Sequence, residues 1–237
     1  MVQAAGEETA GHGQQSRHRQ TCLSTRARWR DRGRYAVLVS PSLQLRKPTP
    51  TDVASPAERL LAAATELFAA NGIRAVGIDR ILAESGVAKA SLYSSYGSKD
   101  GLVHAYLEAL DLRDRTRWEG AVADVAAPLD RVLAFFDLAA ASAPVRNFRG
   151  CQYLNAATEF PGDEVPMLAP VQAHREWVLA RIVENLAEAA VPDAEAVAAR
   201  VQLIYDGALA GSKFTHSEEP IHLGRRMAEE LLRPTRN

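Results

Sequence analysis

The stretch that most constrains this chain is Ile78-Asp79-Arg80-Ile81-Leu82-Ala83-Glu84-Ser85-Gly86-Val87-Ala88-Lys89-Ala90-Ser91-Leu92-Tyr93-Ser94-Ser95-Tyr96-Gly97-Ser98-Lys99. Ile78, Ile81 and Leu82 recur at helical spacing, and Gly86 then supplies a residue that can turn left-handed and stop the helix. Val87 plugs the turn. A second short helix begins near Lys89, with Leu92 and Tyr96 four apart on one face. Its other face carries Lys89, Ala90, Ser91, Tyr93, Ser94 and Ser95, which are small or polar. Helix, glycine turn and a small-faced helix make the sequence form of a helix-turn-helix, so a DNA major groove is the first partner to consider.

The preceding segment fits this reading. Ser55-Pro56-Ala57-Glu58 has the form of a capping box with proline at the first helical position. Leu60, Leu61, Ala64, Leu67 and Phe68 then form one apolar stripe, which Asn71-Gly72 ends. The run Gly86 to Tyr93, with Tyr96 and Ser98-Lys99-Asp100, resembles the DNA-binding signature of the TetR family of bacterial transcriptional regulators. Leu67-Phe68-Ala69-Ala70-Asn71-Gly72 resembles the end of that family's first helix. The run Arg149 to Ala157 is similar to one subgroup's ligand domains.

The resemblance implies roles residue by residue. Lys89, Ser91 and Ser95 approach bases, with Ala90 and Ser94 on the same face. Tyr93 touches a phosphate, and Lys99 clamps the backbone from the start of the fourth helix. Gly77 occupies the start of the second helix, where many members place a serine or threonine on phosphate. Ala88 likewise replaces a frequent serine cap, and backbone N–H groups are expected to serve there instead.

Net charge is −1, so any affinity for nucleic acid must come from a local patch and not from the whole chain. Residues 1–54 are the exception, with nine arginines and lysines against four acidic residues and little apolar content. They read as a disordered basic extension, either an arm adding phosphate contacts or a passive leader. The two cysteines, Cys22 and Cys151, lie far apart with no zinc or disulfide spacing, which suits free thiols in a reducing cytoplasm. No apolar run nears the roughly 20 residues needed to cross a bilayer.

From Asp100 onward the chain reads helical throughout, giving an all-α expectation. A three-helix DNA-binding head spans 55–102, and a helical effector-binding and dimerisation body spans 103–237. The resemblance implies that the last two helices, about 193–232, pair with a second copy as a four-helix bundle. Half-sites about 34–36 Å apart suit such a two-fold homodimer. Small residues at Gly207-Ala208 and Ala210-Gly211 would permit close helix approach.

The sequence offers no nucleophile elbow, phosphate-cradling glycine loop or metal-binding His/Glu pair on one helix face, so neither enzyme chemistry nor a cofactor is expected. His216, Glu218, Glu219 and His222 cluster in sequence but read as a solvated loop. Candidates for a small-molecule effector site are Phe135, Phe136, Cys151, Tyr153, Asn155, Glu159, Phe160, Met167, His174 and Trp177, which mix aromatic surface with a few polar groups. Plain core packing is the competing reading for each. Asn155 and Glu159, four apart, are expected to point inward and orient the ligand. The functional expectation is a repressor that leaves its operator when an effector binds. The rival is a helical small-molecule binding or enzymatic protein whose hairpin is only structural.

Overall fold

A computed structural model of the chain describes residues 54–162 and 165–233. Their regular structure is helical: α1 (Pro56–Asn71), α2 (Ile78–Ser85), α3 (Lys89–Tyr96), α4 (Lys99–Val122), α5 (Pro128–Ser142), α6 (Gln152–Glu159), α7 (Ala169–Glu188), α8 (Ala194–Thr215) and α9 (Glu219–Leu232), with a 3-10 turn at Pro166–Leu168. The basic extension expected over 1–54 falls outside the described residues, apart from Ala54.

The capping box forms as its sequence dictates. The Glu58 N–H donates to Ser55 Oγ at 3.2 Å, and the Ser55 N–H donates to Glu58 Oε2 at 2.7 Å. At the end of α2, Gly86 takes the left-handed conformation with φ 62°, and its N–H closes onto the Leu82 carbonyl. Neither Gly77 before α2 nor Ala88 before α3 provides a side-chain cap.

Two apolar cores hold the structure. The first gathers Leu60, Ala64, Ile81, Leu92, Leu102 and Leu107 from α1 to α4. It does not stop at residue 102: Tyr106, Leu110, Tyr153, Ala156 and Val171 carry it into α4, α6 and α7. The second gathers Val132, Phe136, Ile182, Leu186, Val201 and Ile221 from α5, α7, α8 and α9, with Trp118 of α4. Helix α4 therefore runs through both cores, and Cys151 packs against both. The hairpin of α8 and α9 is tight: a Cβ on Gly224 would stand 2.7 Å from Ala208 Cβ, and one on Gly211 would stand 2.9 Å from Pro220 Cβ.

Candidate functional site

Helix α3 is held from below by its neighbours. Leu92 is wholly buried, and the Tyr96 hydroxyl donates to the Ala57 carbonyl at 2.7 Å. The Arg59 guanidinium donates to the Ser85 carbonyl through Nε at 3.2 Å and Nη2 at 2.7 Å, and Nη2 reaches the Gly86 carbonyl at 2.8 Å. One α1 side chain thus fixes the turn that aims the next helix. This leaves Lys89, Ala90, Tyr93, Ser94 and Ser95 exposed, with Ser91 half-buried on the same helix. Gly77 is exposed too, and nothing lies within 4 Å of a Cβ built on it.

Lys99, expected to clamp the DNA backbone, also bonds within the chain. Its ammonium donates to the Ile73 carbonyl at 2.8 Å and stands 6.0 Å from the Phe68 ring centroid. Partial burial pushes its pKa below the ordinary lysine range. The loop after α1 passes over α4 there and offers the Ile73 carbonyl. A phosphate contact must share the remaining two ammonium donors.

Helices α4 to α9 line a cavity of about 90 Å³. Five of the candidate effector residues are in its wall: Phe135, Cys151, Tyr153, His174 and Trp177. Trp118, stacked on Phe135 with ring centroids 5.1 Å apart, and Tyr205 add aromatic surface. Arg117, Arg146 and Arg149 bring positive charge that the candidate set lacked.

The other five candidates lie outside this wall. Phe136 is one residue on from Phe135, hence about 100° round the helix, and is buried in the second core edge-on to Tyr205. Phe160 and Met167 pack against the first core. Asn155 donates to the Arg149 carbonyl at 2.9 Å and accepts from the Lys213 ammonium at 2.8 Å, which fastens the loop before α6. Glu159 faces the head: its carboxylate accepts the Ile73 N–H at 3.1 Å and the Arg74 N–H at 2.6 Å. The Arg74 guanidinium donates to the Glu159 carbonyl at 3.1 Å. The polar groups of Asn155 and Glu159 are thus bonded within the chain, and both residues border a smaller cleft apart from the cavity.

A polar cluster joins the cavity to α4. The Tyr153 and His174 rings stack with centroids 3.7 Å apart. The Tyr153 hydroxyl donates to Asp114 Oδ2 at 3.1 Å, and the Arg146 guanidinium reaches Asp114 Oδ1 at 3.3 Å. His174 Nδ1 lies 2.8 Å from Asp111 Oδ1, and Arg115 grips the same carboxylate through Nε and Nη2, both at 2.8 Å. Burial holds His174 below the ordinary histidine range, and it outweighs Asp111, whose charge Arg115 already engages. The carboxylate can only accept, so Nδ1 carries the ring proton. Burial, reinforced by Asp114, pushes the Tyr153 phenol far above its usual range. Burial also raises the Cys151 thiol, whose sulfur accepts the Leu154 N–H at the start of α6. That is the setting of an inert thiol rather than a reactive thiolate.

Residues 60–106 match the family model for bacterial regulatory proteins of the tetR family. Among solved structures, a TetR-family transcriptional regulator from Streptomyces coelicolor is 35% identical; the alignment covers 75% of this chain and 94% of that one, with a TM-score of 0.70. The chain belongs to the TetR family. The regulatory protein TetR from Rhodobacter sphaeroides is also similar, at 25% identity over 75% of this chain and 99% of that one, with a TM-score of 0.67. A comparison with curated proteins gives no match.

The TetR-family fold is that of a DNA-binding transcriptional regulator. Among the described residues, no group of three or more His, Cys, Asp or Glu side chains could hold a metal ion, and no helix is long and apolar enough to cross a membrane. The hairpin of α8 and α9 leaves an apolar stripe uncovered. Leu203 is 73% exposed and Phe214 89%, and Leu223 and Met227 accompany them on α9. Between them on α8, Gly207 has nothing within 4 Å of a built Cβ and Ala210 is exposed. The small residues therefore serve two faces: Ala208, Gly211 and Gly224 close the hairpin, while Gly207 and Ala210 look outward.

Sequence reasoning missed Trp118, Tyr205 and the three arginines. Arg146 and Arg149 bracket a loop where Asn147 has φ 49°, Phe148 φ 54° and Gly150 φ 69°. A Cβ on Gly150 would sit 3.1 Å from the Leu209 carbonyl oxygen, so only glycine lets this loop lie against α8. Two arginines beside an Asn and a Gly were the available sign that a turn displays them.

Proposed function

We propose that this TetR-family chain is a homodimeric repressor which an effector, bound in the cavity, releases from its operator. The head, residues 55–102, contacts DNA through Lys89, Ala90, Ser91, Tyr93, Ser94 and Ser95 of α3, with Gly77 offering the backbone at the start of α2. Lys99 steadies the α1–α2 loop and adds its spare donors to the phosphate side. The body, residues 103–237, binds effector and dimerises through the outward stripe of α8 and α9. Contiguous exposed apolar surface of this kind marks an interaction site.

The observation that carries the regulatory reading is the placement of α6. Its first turn, Gln152 and Tyr153, lines the cavity, and its last residue, Glu159, grips the backbone between α1 and α2. Eight residues of helix span only about 12 Å. A ligand that prefers a shifted first turn therefore has a short, stiff route to the head, and it moves the equilibrium by its differential affinity for the two arrangements.

A gel-shift titration against DNA upstream of the protein's own gene tests this reading. The expected result is a sequence-preferring complex at physiological salt. Tyr93→Ala and Lys89→Ala should weaken it, and losing the lysine should lower the salt slope by about one. Leu203→Glu should convert the dimer to a monomer in analytical ultracentrifugation and abolish operator binding. Absence of any sequence preference, or Tyr93→Ala binding like wild type, would instead favour a helical small-molecule protein with a structural hairpin.

A further inference from the structure

The effector cavity has an unanswered charge. Arg149 lines it from the loop before α6, yet its guanidinium makes no hydrogen bond or ion pair among the described residues, and its Nε is buried without a partner. Buried guanidinium N–H groups are ordinarily satisfied. The nearby carboxylates are already engaged. Asp114, in the same wall, is held by Arg146 and Tyr153. Glu159, across the smaller cleft that Arg149 also borders, is taken by the two loop amides.

The wall as a whole points the same way. Three arginines, Arg117, Arg146 and Arg149, face the space against a single carboxylate, Asp114. Around them the surface is flat and apolar: Trp118 lies parallel to Phe135, and Trp177 stands edge-on to both at centroid distances of 5.6 and 6.0 Å. Such rings accept a planar apolar body. The planar fork of a guanidinium matches a carboxylate through paired N–H donors.

We propose that the cavity takes a small organic anion, a carboxylate carried on a flat apolar body, with the Arg149 guanidinium as its anchor. This rests on reading the cavity as the effector site, and it adds the chemical class. A neutral isostere such as an amide offers Arg149 one acceptor and no countercharge, and a cationic ligand meets two uncompensated arginines.

Isothermal titration calorimetry on the full chain tests the assignment with cinnamate and 1-naphthoate, each against its primary amide. Each acid should bind about tenfold or more tightly than its amide, a difference of one hydrogen-bonded charge pair. Arg149→Gln should erase that preference while melting no lower than wild type, because it removes an orphaned buried donor. Arg149→Lys, keeping the charge without the fork, should retain part of it. Equal affinity of acid and amide for the wild-type chain would overturn the proposal whatever the variants do. So would an Arg149→Gln chain that still prefers the acids, or failure of both acids to bind at millimolar concentration. Acid binding that leaves a DNA complex intact would defeat the effector reading and leave this one standing; release by the amides alone would do the reverse.

Discussion

Replacing Glu159 with glutamine changes one oxygen to an amide nitrogen and removes one charge, at nearly constant shape. The wild-type carboxylate accepts two backbone donors, Ile73 N–H at 3.1 Å and Arg74 N–H at 2.6 Å. Glutamine keeps one acceptor and turns an NH2 group toward the other donor. A hydrogen bond to a charged group contributes about 1.5–3 kcal/mol, and the half-exposed position of Glu159 puts this one near the low end. The loss should therefore be about 1.5 kcal/mol, roughly a factor of ten in the opening equilibrium of the α1–α2 loop. Hydrogen exchange at the amides of Ile73 and Arg74 should quicken by about that factor, and melting should fall by about 3–6 °C for a chain of this size. If coupling passes through this contact, the factor by which a bound effector weakens operator binding should shrink in Glu159→Gln by up to about tenfold. Gly72→Ala supplies an independent push on the same carboxylate, because its Cβ would sit 2.8 Å from Glu159 Oε1 and the backbone there has φ +89°. The two substitutions should be non-additive, as neighbours sharing one contact are. Unchanged exchange at residues 73 and 74, together with an unchanged effector response, would refute the idea that α6 holds the head through Glu159.

Three further outcomes follow from local structure. Ser55→Ala removes half of the capping box and should cost about 1 kcal/mol, read as a lower denaturation midpoint; an unchanged midpoint would mean α1 starts without it. Gly77→Ser meets open space and an extended backbone, so it should add a missing cap and stabilise by a few tenths of a kcal/mol while tightening DNA binding in a gel shift; weaker binding would show that DNA needs the bare backbone there. His174 is held neutral by burial, so its folded pKa lies below the ordinary value of 6.5. Its stabilising contribution is present above that value and is lost as pH falls through the folded pKa. Melting temperature should decline on acidification below about pH 6.5, and His174→Asn should flatten that part of the profile; a wild-type profile flat in this range would contradict the burial argument.

The head was legible in the sequence because its signals are local. Ser55 and Glu58 are three apart, Leu92 and Tyr96 four apart, and Gly86 ends one helix within its own turn. None of these needs knowledge of a distant partner. The bonds that aim α3 are another matter: Arg59 reaches Ser85, and Tyr96 reaches Ala57, across 26 and 39 residues. Periodicity marks a residue as inward and is silent about what it meets. Asn155 and Glu159 show the difference. Both were expected to point inward and orient a ligand; one meets the loop before its own helix and Lys213 of α8, and the other meets the head.

The same limit explains the cavity. Its aromatic wall draws on α4, α5, α7 and α8, so Trp118 and Tyr205 read as ordinary core until those helices are placed side by side. Helix α6 is where the two scales meet. A long amphipathic helix has one apolar face against one core, and its pattern can be read as such. An eight-residue helix is barely more than two turns, and in this chain its two ends answer to different surroundings: Tyr153 to the cavity, Glu159 to the backbone of the head. It buries too little to choose its own position and takes it from both neighbours. Under the proposed effector reading, a shift imposed at Tyr153 reaches Glu159 within about two turns of one helix, so α6 is the element that would report the cavity's occupancy to the head.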